Sequence, residues 1–191
     1  MAPKRKAPTA KAAAVAKSVR SLEHGAIVAY TDGSCTRNGR PDAKGGFACV
    51  FPDHPSATGG WPLLDGVTPT NNRAEFAGFI RAAEEADKID AADKVTMKRT
   101  LLVVTDSQLL QNVVMKWVSV WRKNGWKKAN GEPVANRRMC TRIAEICDSR
   151  AVIVRHVRAH TGATDVDSRG NARADALATA ACAAQKAVHA L

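Results

Sequence analysis

Two aspartates lie where an apolar, strand-like run of the sequence stops. Asp32 follows the run Ala26–Thr31, and Asp106 follows the run Thr100–Thr105. Each acid comes directly after a threonine that closes the run, so each is expected at the C-terminal end of a strand. In an open α/β sheet, sites form in the crevice at the carboxyl ends of the strands. The two carboxylates are therefore candidates for one shared site.

Two further acids lie near the starts of helical patterns. Glu75 falls in the first turns of a helix expected from Asn71, and Asp175 falls in the first turns of the last, alanine-rich helix. Carboxylates brought together raise one another's pKa, so a cluster of four needs a cation. Oxygen-only ligands select hard ions, Mg²⁺ or Mn²⁺. Two such ions roughly 4 Å apart can stabilise the attacking and leaving oxygens of phosphodiester cleavage.

Each acid taken singly also has an ordinary structural explanation. Asp32 precedes a glycine, which is typical of a turn, and Asp106 could cap the helix that follows it. Glu75 is an acid of the kind that the helix dipole favours in a first turn, and Asp175 could be helix surface. Spacing alone does not show that the four side chains converge.

The elements that must position these acids follow from hydrophobic periodicity. Strands are expected over Ala26–Thr31, Gly46–Phe51, Gly60–Leu64, Thr100–Thr105 and Ala151–Val157. Helices are expected over Asn71–Ala86, from Ser107, over Asn136–Asp148, and from Ser168 or Asn171 towards Val188, with Asp87–Arg99 as a polar connection. This order predicts a five-stranded mixed sheet flanked by helices, in a single α/β domain.

The bulk composition narrows the classes of partner. The chain has 191 residues and a formal net charge of +11, which indicates a polyanionic partner, nucleic acid first and an anionic membrane second. The alternative is that the charge serves solubility alone. No apolar run approaches the roughly 18–20 residues of a membrane-spanning helix, so no transmembrane helix is expected. Of the two classes of partner, we expect nucleic acid and no membrane. The five cysteines are scattered and form no pair of metal-ligand spacing, which fits a reducing, intracellular compartment.

The N-terminal segment differs in composition from the rest. Residues 1–24 combine alanine with lysine and arginine, and we interpret them as a mobile basic tail ahead of a folded domain over residues 25–191. The run Lys4–Lys6 could be a nuclear import signal, or the tail could be merely solubilising. We expect a nuclear location in preference to a mitochondrial one if the source is eukaryotic, and a cytoplasmic one otherwise.

Five motifs, in this order, resemble those of type 1 ribonuclease H. They are Tyr30–Cys35 followed by Asn38-Gly39, Thr70–Glu75, Val104–Gln108, the histidine stretch Val157–Gly162, and Gly170–Asp175 continued by Leu177-Ala178. The resemblance covers residues 26 to about 185 and implies the ribonuclease H-like fold. It implies that Asp32, Glu75, Asp106 and Asp175 are catalytic carboxylates that bind two Mg²⁺ ions, which Mn²⁺ can replace. His160 would be the mobile histidine that assists proton transfer or product departure.

The resemblance also implies a substrate, an RNA–DNA hybrid whose RNA strand is cut to leave 3′-hydroxyl and 5′-phosphate ends. We expect a monomer, because one domain contains the whole site. The surface that reads RNA 2′-hydroxyls would comprise Gly33, Ser34, Cys35, Asn38, Asn71 and Asn72, with Gln108. The segment Trp117–Lys128 looks like the basic protrusion of the eukaryotic form, with Trp121, Arg122, Lys123 and Asn124 on the hybrid. Thr70 and Asn124 would help hold a DNA-strand phosphate. Trp117 and Trp126 could instead be core anchors, and Trp121 is the better candidate for the surface.

Departures from the family pattern leave other possibilities open. The stretch between His160 and Asp175 is longer than usual and carries Asp165 and Asp167, which could bind metal or lie solvated in a loop. Thr68 stands where eukaryotic members often have a basic residue, which weakens the expected phosphate pocket. The alternatives are a ribonuclease H-like DNA nuclease or recombinase, and a non-catalytic hybrid-binding protein.

Overall fold

The computed structural model describes residues 25–63, 66–159 and 164–185. The expected basic tail over residues 1–24 lies outside these residues. The last helix was expected to run towards Val188, which was wrong, because it ends at Ala184 and Gln185 has extended backbone. Five strands form one sheet in the order β3-β2-β1-β4-β5. They are β1 Ile27–Thr36, β2 Lys44–Val50, β3 Gly59–Pro62, β4 Leu101–Thr105 and β5 Val152–His156. The first three strands pair antiparallel, and β1, β4 and β5 pair parallel, so the predicted mixed α/β sheet is confirmed.

The first strand is longer than expected, and the prediction that it ends before Asp32 was wrong. Its antiparallel pairing with β2 runs on to Thr36, opposite Lys44. Its parallel pairing with β4, in contrast, stops at Tyr30, opposite Val104. Asp32 therefore lies within a strand on the β2 side and beyond the end of the strand on the β4 side. The hairpin with β2 supplies the backbone hydrogen bonds that carry the strand through the Asp-Gly pair.

Helices cover both faces of the sheet, as the unbroken apolar run in β4 predicts. All five residues of β4 are buried. Leu101 and Val103 belong to the larger apolar core, whereas Leu102 and Val104 belong to a smaller core on the other face. The helices are α1 Asn71–Ala92, α2 Gln108–Asn112, α3 Val118–Lys123, α4 Arg137–Ser149 and α5 Val166–Ala184, with a π-helical turn over Val113–Trp117 between α2 and α3. No helix among the described residues is long and apolar enough to cross a membrane.

The helix α1 continues past its expected end at Ala86 because its acids have partners. Arg150, whose side chain is 1% exposed, donates to Asp90 at 2.6 Å and to Asp87 at 2.9 Å. Arg99 also contacts Asp90, at 2.7 Å. These ion pairs turn the start of a segment that the sequence predicts as a polar connection into nearly two more helical turns, which bury Ile89 and Asp90 and end at Ala92.

The last helix also begins earlier than expected. Asp165 accepts a hydrogen bond from the Ser168 backbone N–H at 3.0 Å and so caps α5, which starts at Val166. Asp167 accepts from the Tyr30 hydroxyl and from Arg155, each at 3.1 Å. The two acids are thus a helix cap and a link to the sheet rather than solvated loop acids. Much of the extra length before Asp175 is helix.

Candidate active site

The ends of β1 and β4 bring two of the predicted acids together. Asp106 directly follows Thr105, the last residue of β4, and Asp32 lies two residues after the last β1–β4 pair. His156 at the end of β5 fixes the same edge, because its Nε2 lies 3.0 Å from the Asp106 backbone oxygen. The parallel strands therefore place both carboxylates at one edge of the sheet.

A glycine on β1 lets the helix α1 add the third acid. A Cβ atom at Gly33 would lie 2.3 Å from the Glu75 backbone nitrogen and 2.6 Å from the Ala74 carbonyl carbon, closer than any side chain allows. The helix begins at Thr70, whose side chain accepts from the Arg73 backbone N–H at 3.3 Å. The cap fixes where α1 starts, and the missing Cβ lets Glu75 lie directly over the strand that carries Asp32.

The three acids form a compact cluster suited to a cation. One carboxylate oxygen from each of Asp32, Glu75 and Asp106 lies within 4.8 Å of the others. Asp32 and Glu75 are buried, and Asp106 is half-buried. The Glu75 Oε2 atom is buried without a hydrogen-bond partner among the described residues. An orphaned carboxylate oxygen inside an all-oxygen cluster fits a hard divalent ion.

The helix α5 supplies the fourth acid and a positioning contact. The charge of Asp175 and a side-chain interaction with it add to the raised pKa of Asp32, so Asp175 lies beside Asp32. Asn171, one turn earlier and buried, donates from Nδ2 to the Asp106 carboxylate at 3.1 Å. Asp175 lies in about the third turn of the helix, not in its first turns as expected, because α5 starts at Val166. The structure thus brings Asp32, Glu75 and Asp106 together and places Asp175 beside Asp32.

Burial and mutual repulsion make the cluster electrostatically costly without a cation. Burial raises the pKa of Asp32 to about 7, with further increases from Asp106 and Asp175, while the Gly33 backbone N–H lowers it. Burial also raises the pKa of Glu75 well above its ordinary value, and the charges of Asp32 and Asp106 add to this. At neutral pH the cluster therefore holds protons or a divalent ion.

The residues expected to read 2′-hydroxyls line the rim of this cluster. The Asn38 side chain accepts from the Asn71 backbone N–H at 2.9 Å, which ties the β1–β2 hairpin to the start of α1. The side chain of Gln108 is exposed and donates to Gln111 at 2.7 Å. Ser34 accepts from Thr179 at 3.4 Å. Asn71 and Asn72 are exposed beside the acids. His160 lies outside the described residues.

The basic protrusion differs in detail from the expectation. Trp117 is 37% exposed, whereas Trp121 is half-buried against the core, so the preference for Trp121 over Trp117 as the surface residue was wrong. Their ring centroids lie 5.5 Å apart. Arg122 is paired with Asp148 through two hydrogen bonds of 3.1 and 2.8 Å. Asn124 donates to the Lys127 carbonyl at 2.7 Å and so closes the turn after α3.

Asn136 lies near the site although no sequence motif indicated it. This residue has a φ of +53° at the start of α4 and accepts from the Arg73 guanidinium at 3.3 Å. It lines a groove of about 480 Å³ together with Asn72, Trp117, Trp121, Asn124 and Lys128, which we call the tryptophan groove. These segments are separated in the sequence, and only the fold brings them together. The one recognisable sequence signal is an asparagine ahead of a helix, because asparagine is enriched in left-handed backbone.

A mixed five-stranded sheet with Asp32, Glu75 and Asp106 clustered where β1 and β4 part defines an α/β protein whose carboxylates offer ligands for a metal ion. The RNase H family model matches residues 24–183, and the chain belongs to this family, in its type 1 branch. The chain is 33% identical to Ribonuclease H1 of Rattus norvegicus over 171 residues, which are 89% of this chain and 55% of that one.

A bacterial relative and a solved structure match more of their own length. Ribonuclease H of Maricaulis maris strain MCS10 is 34% identical over 154 residues, which cover 80% of this chain and 90% of that one. The solution structure of the PFV RNase H domain aligns with a TM-score of 0.63 and 25% identity, over 82% of this chain and 94% of that one. The chain thus spans about half the length of the mammalian relatives and most of the bacterial one.

Proposed function

We propose that this chain is an endonuclease that hydrolyses the RNA strand of RNA–DNA hybrids and leaves 3′-hydroxyl and 5′-phosphate ends. The observation that carries the proposal is the convergence of Asp32, Glu75 and Asp106 within 4.8 Å in a member of the RNase H family. The fold itself accommodates such a substrate, since LC11-RNase H1, which aligns with a TM-score of 0.52, was crystallised in complex with an RNA/DNA hybrid.

Two Mg²⁺ ions, which Mn²⁺ can replace, are the cofactors that we infer for the cluster. Asp32, Glu75, Asp106 and Asp175 would hold them, and the choice of ion follows from the all-oxygen donor set and the unpartnered Glu75 Oε2. When bound, the ions supply a water nucleophile at neutral pH and stabilise the attacking and leaving oxygens.

Residues of the chain orient the carboxylates of the cluster and hold protons on them. Asn171 holds the Asp106 carboxylate in one orientation through its 3.1 Å hydrogen bond. Asp32, with its pKa raised to about 7, releases its proton as a cation binds, so the free cluster exchanges protons for metal. His160, which precedes α5 in the sequence, is proposed to assist proton transfer or the departure of product.

The rim of the cluster is proposed to read the ribose 2′-hydroxyl groups that distinguish RNA from DNA. Amides suit this task because each can both donate and accept. Asn71 and Asn72 lie exposed at the start of α1, and the hydrogen bond from the Asn71 N–H to Asn38 holds the hairpin beside them. The backbone of Gly33, Ser34 and Cys35 forms the adjoining edge of β1.

The tryptophan groove is proposed to hold the DNA strand. Trp117 offers a flat apolar face to deoxyribose, while Lys128 and the neighbouring Lys123 offer charge to phosphates. Trp121 supports Trp117 from beneath with its ring centroid 5.5 Å away. Asn136 joins Thr70 and Asn124 as a polar residue near this strand.

The proposal also includes the oligomeric state, the kind of partner and the location of the chain. We propose a monomer, because one domain carries the entire cluster, and a soluble nucleic-acid partner rather than a membrane. The basic residues of the tail over residues 1–24 would add nonspecific affinity that falls steeply with salt. We propose an intracellular location, nuclear rather than mitochondrial in a eukaryotic source and cytoplasmic otherwise.

Cleavage of a panel of end-labelled duplexes tests the proposal. With Mg²⁺ present, the chain should cut the RNA strand of a hybrid internally, with 5′-phosphate on the new ends, and leave duplex DNA and duplex RNA intact. Cleavage of duplex DNA would favour the recombinase-like alternative. Tight binding of the hybrid without cleavage in Mg²⁺ or Mn²⁺ would favour the non-catalytic one.

A further inference from the structure

Arginines line a second groove, between α1 and α4, that the proposed function does not use. Arg73 and Ile80 on α1 face Arg137, Arg138, Met139 and Arg142 on α4 across a space of about 530 Å³. Positions 73 and 80 lie on one face of a helix, two turns apart. We call this space the arginine groove.

The mouth of the arginine groove, formed by Arg137 and Arg138, is positively charged. Arg137 and Arg138 are exposed and form no ion pair with any residue in the part of the chain that the structure describes. The adjoining space, which Arg137 and Arg138 also line, contains Glu84 and Glu145, and these two acids lie 4.0 and 3.2 Å from Arg142 rather than in an ion pair with Arg137 or Arg138. The positive potential is therefore concentrated at the start of α4.

The placement of these arginines runs against local helix energetics. Arg137 and Arg138 occupy the first turn of α4, where the helix dipole disfavours cations, and no acid lies in that turn to offset them. Asn136 does not cap the helix with its side chain, because it accepts from Arg73 instead. Local rules are broken in this way where a site has a ligand to bind.

The arginine groove adjoins the tryptophan groove. Asn136 lines both spaces, with Asn72 in one and Arg73 in the other. Asn72 and Arg73 are consecutive on α1 and so face adjacent sides of the helix. A duplex held over the acids and the tryptophan groove would therefore bring its next phosphates to the mouth of the arginine groove.

We propose that the mouth of the arginine groove, formed by Arg137 and Arg138, binds backbone phosphates of a nucleic-acid duplex that extends beyond the catalytic cluster. This proposal rests on the proposed function, because that function places the duplex over the acids and the tryptophan groove. The contacts themselves are to phosphate and carry no sequence or sugar preference, so they favour long substrates over short ones.

The test variant carries both Arg137→Ala and Arg138→Ala. The control variant carries both Lys94→Ala and Lys98→Ala, which removes the same amount of positive charge near the far end of α1. Binding is measured by fluorescence anisotropy, with full-length chains on an Asp32→Asn background that keeps the substrate intact. The probes are hybrids of about one and about two helical turns, and duplex DNA of the longer length. The arginine variant should bind both longer duplexes about 10-fold more weakly, with a salt slope reduced by about two, and should bind the short hybrid like its parent.

A loss no larger than that of the lysine variant, or an equal loss on short and long hybrids, overturns the proposal. Duplex DNA separates this outcome from failure of the proposed function, because phosphate contacts would persist even if the chain cut no hybrid. With Asp32 intact, the arginine variant should raise KM for the long hybrid and leave kcat unchanged. A fall in kcat at unchanged KM would contradict the assignment to binding.

Discussion

Gly33 and Glu75 are in direct backbone contact, and this contact sets the spacing between β1 and α1. A Cβ at position 33 would lie 2.3 Å from the Glu75 nitrogen. The acid on the helix and the acid on the strand meet because the residue after Asp32 has no side chain. The geometry of the cluster therefore depends on a residue that offers no ligand of its own.

Replacing Gly33 by alanine should push α1 away from β1 and separate Glu75 from Asp32. We expect a loss of hybrid cleavage of about 100-fold, since misplacement by about 1 Å has effects of that size, and destabilisation of about 1–3 kcal/mol. Cleavage rates and urea unfolding measure the two effects. Gly78→Ala on α1 is the milder comparison, because its Cβ would lie 3.3 Å from the backbone oxygens of Ala48 and Asp32, a tight contact but not an overlap. Equal effects of the two substitutions would contradict this explanation.

The raised pKa of Asp32 predicts how the stability of the metal-free chain depends on pH. The folded state keeps the Asp32 proton up to a pH of about 7, whereas the unfolded chain loses it near pH 4. This group therefore destabilises the fold as pH rises from about 4 to 7, by at most about 4 kcal/mol. The free energy of unfolding in EDTA should fall over this window relative to that of Asp32→Asn.

A matched variant and added metal sharpen this experiment. Asp53→Asn removes an exposed carboxylate and should follow the parent at every pH. Mg²⁺ at pH 8 should stabilise the parent more than Asp32→Asn, because the ion offsets the repulsion between the carboxylates. Parallel pH profiles for the parent and Asp32→Asn would mean that the Asp32 carboxyl is not buried in solution as it is in the structure.

The ionisation of the Tyr30 hydroxyl depends on Asp167 in the first turn of α5, so it tests the early start of this helix. Burial and Asp167 raise the pKa of Tyr30 to about 12, and Tyr30 is the only tyrosine of the chain. Asp167→Asn removes the nearby charge, so the Tyr30 hydroxyl should ionise at a lower pH than in the parent. Phenolate absorbance in a pH titration measures this directly, with Asp53→Asn as the control. Identical titrations of the parent and Asp167→Asn would show that the 3.1 Å contact does not persist in solution.

The two cations at the end of α3 should contribute unequally to hybrid binding. Arg122 is held by Asp148 at 2.8 Å, whereas Lys123 is exposed with no ion pair in the part of the chain that the structure describes. Lys123→Ala should weaken hybrid binding and reduce the salt slope by about one, and Arg122→Ala should have a smaller effect. Asp148→Asn should release Arg122 and strengthen binding. Equal losses for the two cations would show that Arg122 leaves Asp148 when the hybrid binds.

Motifs and periodicity sufficed to predict the order of the elements, the mixed sheet and the identity of the acids that meet. The five strands and the helices appear in the predicted order, although β1, α1 and α5 have other bounds than expected, and the buried run of β4 lies between two helical layers. These features follow from local pattern, because each element must bury an apolar face. The four acids were located through their motifs, since spacing alone left their convergence open.

Long-range partners explain what the sequence did not reveal. Asp87 and Asp90 are helical because Arg150, some 60 residues away in the chain, neutralises them. Asp167 is structural because Tyr30 and Arg155 reach it from the sheet. Asn136 borders both grooves only because α4 packs beside the start of α1. No local pattern encodes which distant side chain completes an ion pair or lines a groove.

The most direct test of the account is the rate of cleavage of a labelled RNA–DNA hybrid in Mg²⁺ by the parent, Asp32→Asn and Asp53→Asn. The account predicts that the parent and Asp53→Asn cut the RNA strand at equal rates. Asp32→Asn should be slower by at least about 10³-fold, because it removes a buried ligand of the cluster. Cleavage by Asp32→Asn at the parent's rate would contradict the claim that this cluster is the catalytic centre.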